Sequence, residues 1–173
     1  MSDTNWFEIT DGVFALALVD RDAPGYSDSW MAPSGHTKDS VTVEAYDMPV
    51  GSSWRCQLLS GALNPSSSTS TRPRHATFCG PASTTTTPTE SSWNLDVEIA
   101  QDPHITDGLS EFLFENDAVE AFFLLGLNDD TPPLAIGRVY LAAGSFGGAA
   151  AEDLTATISM LLKQKPSVAF GNA

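Results

Sequence analysis

The chain has 173 residues, an apolar fraction of 42% and a formal net charge of −14, from 22 acidic against 8 basic residues. This length suits one domain with a real core. The charge excludes a protein that grips nucleic acid through phosphate pairing, which needs clustered Lys and Arg. An acidic surface keeps an ordinary globular protein soluble, and it also suits a wall past which nucleic acid must slide without sticking.

The chain opens without the basic end and apolar run of a signal peptide in Met1 to Thr10. Strands are expected at Trp6 to Thr10 and Val13 to Asp20, turned by Asp11-Gly12. Asp22 to Ser40 is rich in Gly, Pro and Ser yet holds Tyr26, Trp30 and Met31. A loop that carries large apolar groups packs them against something, and in an isolated subunit no partner for them is evident from the sequence. Strands are next expected at Val41 to Asp47, Trp54 to Leu59 and Arg74 to Cys79. Asn64 to Thr71 and Gly80 to Ser92, rich in Ser and Thr, are expected as flexible connections.

The second half is more regular. Trp93, Leu95, Val97 and Ile99 alternate with Asn94, Asp96 and Glu98, which predicts a half-buried strand with an acidic wet face. Leu109, Phe112 and Leu113 fall on one stripe of a short helix within Asp107 to Asn116, with Thr106 or Asp107 as its cap and Asn116 at its exit. Ala118 to Leu127 is apolar on both faces and suits a central strand. Its core, Ala121 to Leu127, is far too short to cross a bilayer. Leu134 to Leu141 is a strand with one charge, Arg138. Gly144 to Gly148 is a hinge or bulge with Phe146 as an anchor. Leu154 to Leu162 alternates again, with Thr155, Thr157 and Ser159 on its polar face. The fold class is therefore mainly β, a sandwich or barrel-like arrangement with one flanking helix and long loops.

Chemistry-bearing patterns are absent. His36, His75 and His104 lack metal spacing, no nucleophile elbow surrounds any serine, and the glycine-rich run is followed by acid instead of Lys-Ser/Thr. Asp20 to Gly25 imitates the start of a calcium loop, but Pro24 and Met31 stand where ligands belong. Cys56 and Cys79 are open to two readings, free buried thiols or a disulfide. No catalytic residue, metal or cofactor is expected.

The ordered set FCGP, a Thr-rich loop, SSWNLDVEIAQD, the helix DGLSEFLFEND, the strand FFLLGL and PPLAIGRVYLAAGSFGGAAAEDLTATISMLLKQKP runs from Phe78 to Pro166. It resembles the tail tube proteins of long-tailed phages, most of all those of actinobacterial phages. The resemblance implies a β-sandwich whose copies form sixfold rings, stacked into a hollow tube in the virion after assembly in the host cytoplasm. It implies a tape measure protein in the lumen, tail terminator and tip proteins at the ends, and genomic DNA only in transit. No catalysis, cofactor or membrane is implied, nor the extra immunoglobulin-like domain of some relatives. On this view residues 1–173 are one tail-tube domain with an N-terminal arm at 1–12, an assembly loop at 22–40 and a C-terminal arm at 163–173. Tyr26, Trp30, Met31, Phe146 and Phe170 are the expected contacts between subunits or rings. Asn94, Asp96, Glu98, Thr155, Thr157 and Ser159 are candidates for the lumen, although alternation defines two faces and not which one is inward. Other expectations are a tail terminator or capsid decoration protein, or a monomeric ligand-binding β-sandwich module.

Overall fold

The structure, a computed structural model, describes residues 13–46, 58–67, 69–74, 83–88, 91–101, 108–128, 131–145 and 154–170. In chain order the elements are β1 (Val13–Leu18), 3-10 turns at Pro33–Gly35 and Val43–Tyr46, β2 (Leu58–Ser66), β3 (Thr69–Arg74), β4 (Ser83–Pro88), β5 (Ser92–Ala100), α1 (Leu109–Glu115), β6 (Glu120–Asn128), β7 (Thr131–Tyr140), β8 (Thr155–Leu161) and β9 (Ser167–Ala169). The fold is mainly β with one short helix.

Two antiparallel sheets make the body. One is four-stranded, ordered β1-β6-β7-β9, and the other is three-stranded, ordered β2-β5-β8. They face each other across a single apolar layer. Phe14, Leu16, Ala121, Phe123, Ala135 and Val139 project from the first sheet; Leu95, Val97, Ile99, Ala156, Ile158 and Met160 project from the second. Leu109 and Leu113 of α1 close the layer. The alternation read in β5 and β8 is the cause, since every second residue must leave water when one face of a strand is covered. The sheets also join at one corner, where Val139 bridges Leu162 and the Lys163 amide donates to the Arg138 carbonyl at 3.0 Å. That corner gives the sandwich its barrel-like character.

β6 lies inside the four-stranded sheet and is buried on both faces, as its unbroken apolar run requires. Its outer neighbours explain why. Val13, Ala15, Phe122, Leu124, Leu134 and Ile136 face away from the sandwich layer and pack beneath residues of the long segment between β1 and β2, namely Ala32, Val41 and Tyr46, with Trp30, Met31 and Ala45 partly buried against them. The four-stranded sheet thus has a covered face on each side.

Several expectations are corrected. Val41 to Asp47 is not a strand where described: Val43–Tyr46 is a 3-10 turn closed by Ala45 N donating to Thr42 O at 3.1 Å. Its tyrosine is used as an anchor, with the buried Tyr46 hydroxyl donating to Phe123 O at 3.0 Å. The flexible connections expected at Asn64 to Thr71 and Gly80 to Ser92 are largely strand, since β2, β3 and β4 occupy much of both. Thr is β-branched and suits a pleated ribbon, which composition alone disguised as loop. At the helix exit Asn116 is not left-handed (φ −112°); its side-chain amide caps the Phe112 carbonyl at 2.8 Å, and Ala118 takes the positive φ of 62° instead. The position before the helix is Gly108, with no side-chain cap hydrogen bond. In the C-terminal segment expected as an arm, residues 167–169 pair with β7 as a sheet strand. Gly144 is needed for a close approach: a Cβ there would lie 2.8 Å from Ile158 Cγ1. The strand expected at Trp6 to Thr10, the N-terminal arm at 1–12, Cys56, Cys79, Thr106, Asp107 and Phe146 lie outside the described residues.

Candidate assembly surfaces

The two polar strand faces found in the sequence become one surface. β5 is flanked on both sides, with Asp96 opposite Ala62 and Ser159, Glu98 opposite Ser60 and Thr157, and Asn94 opposite Asn64 and Leu161. Asn94, Asp96, Glu98, Thr155, Thr157 and Ser159 therefore share the face of the three-stranded sheet that points away from the core. Thr155, Thr157 and Ser159 are exposed, and the three β5 residues are half-buried by their neighbours. Asn64 Nδ2 donates to Asp96 Oδ2, and Ser60 Oγ donates to Glu98 Oε2 at 3.4 Å. These bonds tie both carboxylates to residues of the neighbouring strand β2. No Lys or Arg occurs in β2, β5 or β8, so Asp96 and Glu98 set the sign of this face. Leu161, 51% exposed, is an apolar intrusion at one end.

For the segment carrying Tyr26, Trp30 and Met31 no partner is evident from the sequence. It does find one. Trp30 and Met31 pack on the outer face of the four-stranded sheet, and Tyr26 meets Trp30 edge-on with ring centroids 5.7 Å apart. Gly35, at φ +72°, lies under the indole, where a Cβ would come within 2.9 Å of Trp30 Cε2. Gln164 Nε2 donates to the Met31 sulfur, tying the segment to the chain after β8. Phe170, just past β9, is 78% exposed.

A charge cluster that the sequence did not reveal pins this segment. Arg138, with a side chain 0% exposed, reaches up from β7. Its Nη1 donates to Asp28 O at 2.7 Å, its Nη2 donates to Tyr26 Oη at 2.7 Å, and Nη2 also lies 2.7 Å from Glu120 Oε1. The guanidinium is 5.6 Å from the centroid of Phe122 and 5.7 Å from that of Tyr26, a cation between two rings. Lys163 Nζ lies 3.0 Å from Glu120 Oε1, and Arg21 Nη2 lies 2.9 Å from Oε2. Burial alone would raise the Glu120 pKa, but hydrogen bonds from Lys163 and Arg21 and the Arg138 charge outweigh it and hold the carboxyl below its ordinary value. Asp28 is also lowered, first by the Tyr26 hydroxyl, which donates to Oδ1 at 2.9 Å, and then by Lys163. The only sequence signal was a lone charge in an apolar strand; its partners come from segments far apart in the chain.

Other chemistry is sparse. Asp20 Oδ1 accepts the Asp22 amide at 2.9 Å, an ordinary turn at the calcium-like stretch. No group of three or more His, Cys, Asp or Glu among the described residues could hold a metal ion. A hollow lined by Ile99, Gln101, Ser110, Phe114, Gly144, Ser145 and Ala156 has room for about one water. Among the described residues no helix is long and apolar enough to cross a membrane.

The fold and these surfaces define a mainly-β protein with an acidic sheet face and a pinned cover on its second sheet. No protein-family model matches the sequence, and a search of curated proteins finds no match.

Proposed function

We propose that this chain is a structural protein that polymerises with itself, in the manner of the tail tube proteins it resembles: sixfold rings stacked into a hollow tube of the virion that conducts DNA. The observation that supports this most is the single sheet face bearing Asp96 and Glu98 among Ser, Thr and Asn, with no cation in any of its three strands. Turned inward and repeated around a ring, such a face repels phosphate and leaves DNA free to slide. Its hydroxyl and amide groups keep the wall wet without offering a fixed partner. A tape measure protein would fill the same lumen before DNA does, and terminator and tip proteins would close the ends.

Negative-stain electron microscopy of concentrated protein tests the reading. Rods or stacked rings with a central hole are expected. Rings or trimers that never stack would point to a tail terminator or capsid decoration protein. A monomer at every concentration and salt would point to a ligand-binding module and sink the proposal.

A further inference from the structure

β3 and β4 form a two-stranded sheet of their own. The last pair of β2 with β5 is Ser66↔Ser92, and the first of β3 with β4 is Thr69↔Pro88. β5 has β8 beside it only from Asn94 onward, and the sequences of β3 and β4 hold only Ser, Thr, Pro and Arg. Thr84 and Thr86 on one face of the ribbon and Ser70 on the other are all exposed. A two-stranded ribbon with no apolar face to bury is marginally stable alone, so a partner surface would stabilise it.

Charge indicates that partner. Thr69–Arg74 and Ser83–Pro88 contain Arg72 and Arg74 and no acid, in a chain of net charge −14 with only 8 basic residues. By register the two arginine positions share one face of the ladder, opposite Thr85 and Ser83. Another copy of the chain is therefore an attractive surface for the ribbon. On α1, Glu111, Phe114 and Glu115 lie at i, i+3 and i+4 and are all exposed, Phe114 by 71%. An exposed aromatic rimmed by carboxylates suits an Arg-bearing strand, because arginine pairs with carboxylates and stacks on rings.

We propose that the β3–β4 ribbon is a docking arm that seats on the α1 face of a second copy of this chain. This goes beyond the tube reading, since it requires self-association but no particular assembly. It also moves the assembly contact from the segment around Trp30, which is occupied within its own chain, to an element that pairs with no other described strand.

Sedimentation velocity of the full chain at about 50 mM and about 500 mM NaCl tests it. Association is expected to weaken with salt. Arg72→Glu with Arg74→Glu should weaken it by about tenfold or more, as should Glu111→Lys with Glu115→Lys, each with an unchanged melting temperature. Mixing the two charge-reversed proteins should restore association. Arg72→Gln with Arg74→Gln serves if the reversal perturbs folding, and should show a smaller loss in the same direction. Wild-type association by the arm-reversed protein, or no recovery on mixing, overturns the docking arm while leaving assembly intact. A wild-type chain that is monomeric throughout overturns both readings.

Discussion

The Arg138 guanidinium, sealed from solvent, stands 2.7 Å from the Glu120 carboxylate, and the same guanidinium holds Tyr26 and the Asp28 carbonyl of the covering segment. One side chain therefore joins the sheet to its cover. Removing Arg138 leaves Glu120 to Lys163 and Arg21 and takes the donor from the Tyr26 hydroxyl and the Asp28 carbonyl. Arg138→Met should lose the cover's anchor and its charge-assisted hydrogen bonds and cost about 2 kcal/mol or more, read as a lowered urea midpoint. A loss of a few tenths would show that Arg138 is replaceable packing.

Acid should act through the same cluster. Glu120 and Asp28 both have folded-state pKa values below their ordinary ones. Their contribution is fully present above the unfolded carboxylate range and is lost as pH falls through the lower folded values. The cluster's contribution should therefore be lost below about pH 4, against the opposing relief of self-repulsion in a chain of net charge −14. Comparing wild type with Glu120→Gln isolates the effect: the variant should be less stable at neutral pH and should lose less on acidification. Parallel curves for the two proteins between neutral pH and pH 3 would contradict this.

Trp30 and Met31 also give a prediction that differs from a pure assembly role. Because both pack on the sheet of their own chain, replacing them with serine should destabilise the isolated subunit by about 2–5 kcal/mol. Gly35→Ala should act in the same direction, since its Cβ would meet the Trp30 ring at 2.9 Å in a backbone region that L-residues avoid. Thermal melts of the monomer decide the matter. A folded, fully stable variant that fails only to assemble would return these residues to the interface.

The acidic face has its own test. Asp96→Lys with Glu98→Lys leaves Leu95, Val97 and Ile99 in place on the buried side, so the sheet should persist. If that face lines a tube, assemblies of the variant should retain double-stranded DNA at low salt and release it as salt rises, whereas wild-type assemblies should not retain it. Assemblies of both that ignore DNA alike would place the face elsewhere.

Much of the body was legible in local pattern. β5, β6, β7, β8 and the stripe of α1 follow from period-2 alternation, an unbroken apolar run and i, i+3, i+4 spacing, because those periods report which side of an element leaves water. The sequence thus determined that Asp96 and Glu98 share a polar face, and that Thr155, Thr157 and Ser159 do too. Tertiary structure decided that these are the same face, since pairing of β5 with β8 is a contact between residues some sixty positions apart. It likewise turned Val43–Tyr46 into an anchor, folded the Trp30 segment onto β6, and drew Arg21, Asp28, Glu120, Arg138 and Lys163 into one cluster. A charge or an aromatic ring in a loop has no period to betray its partner. What it touches is set by which strands lie side by side, and only the assembled sheets settle that.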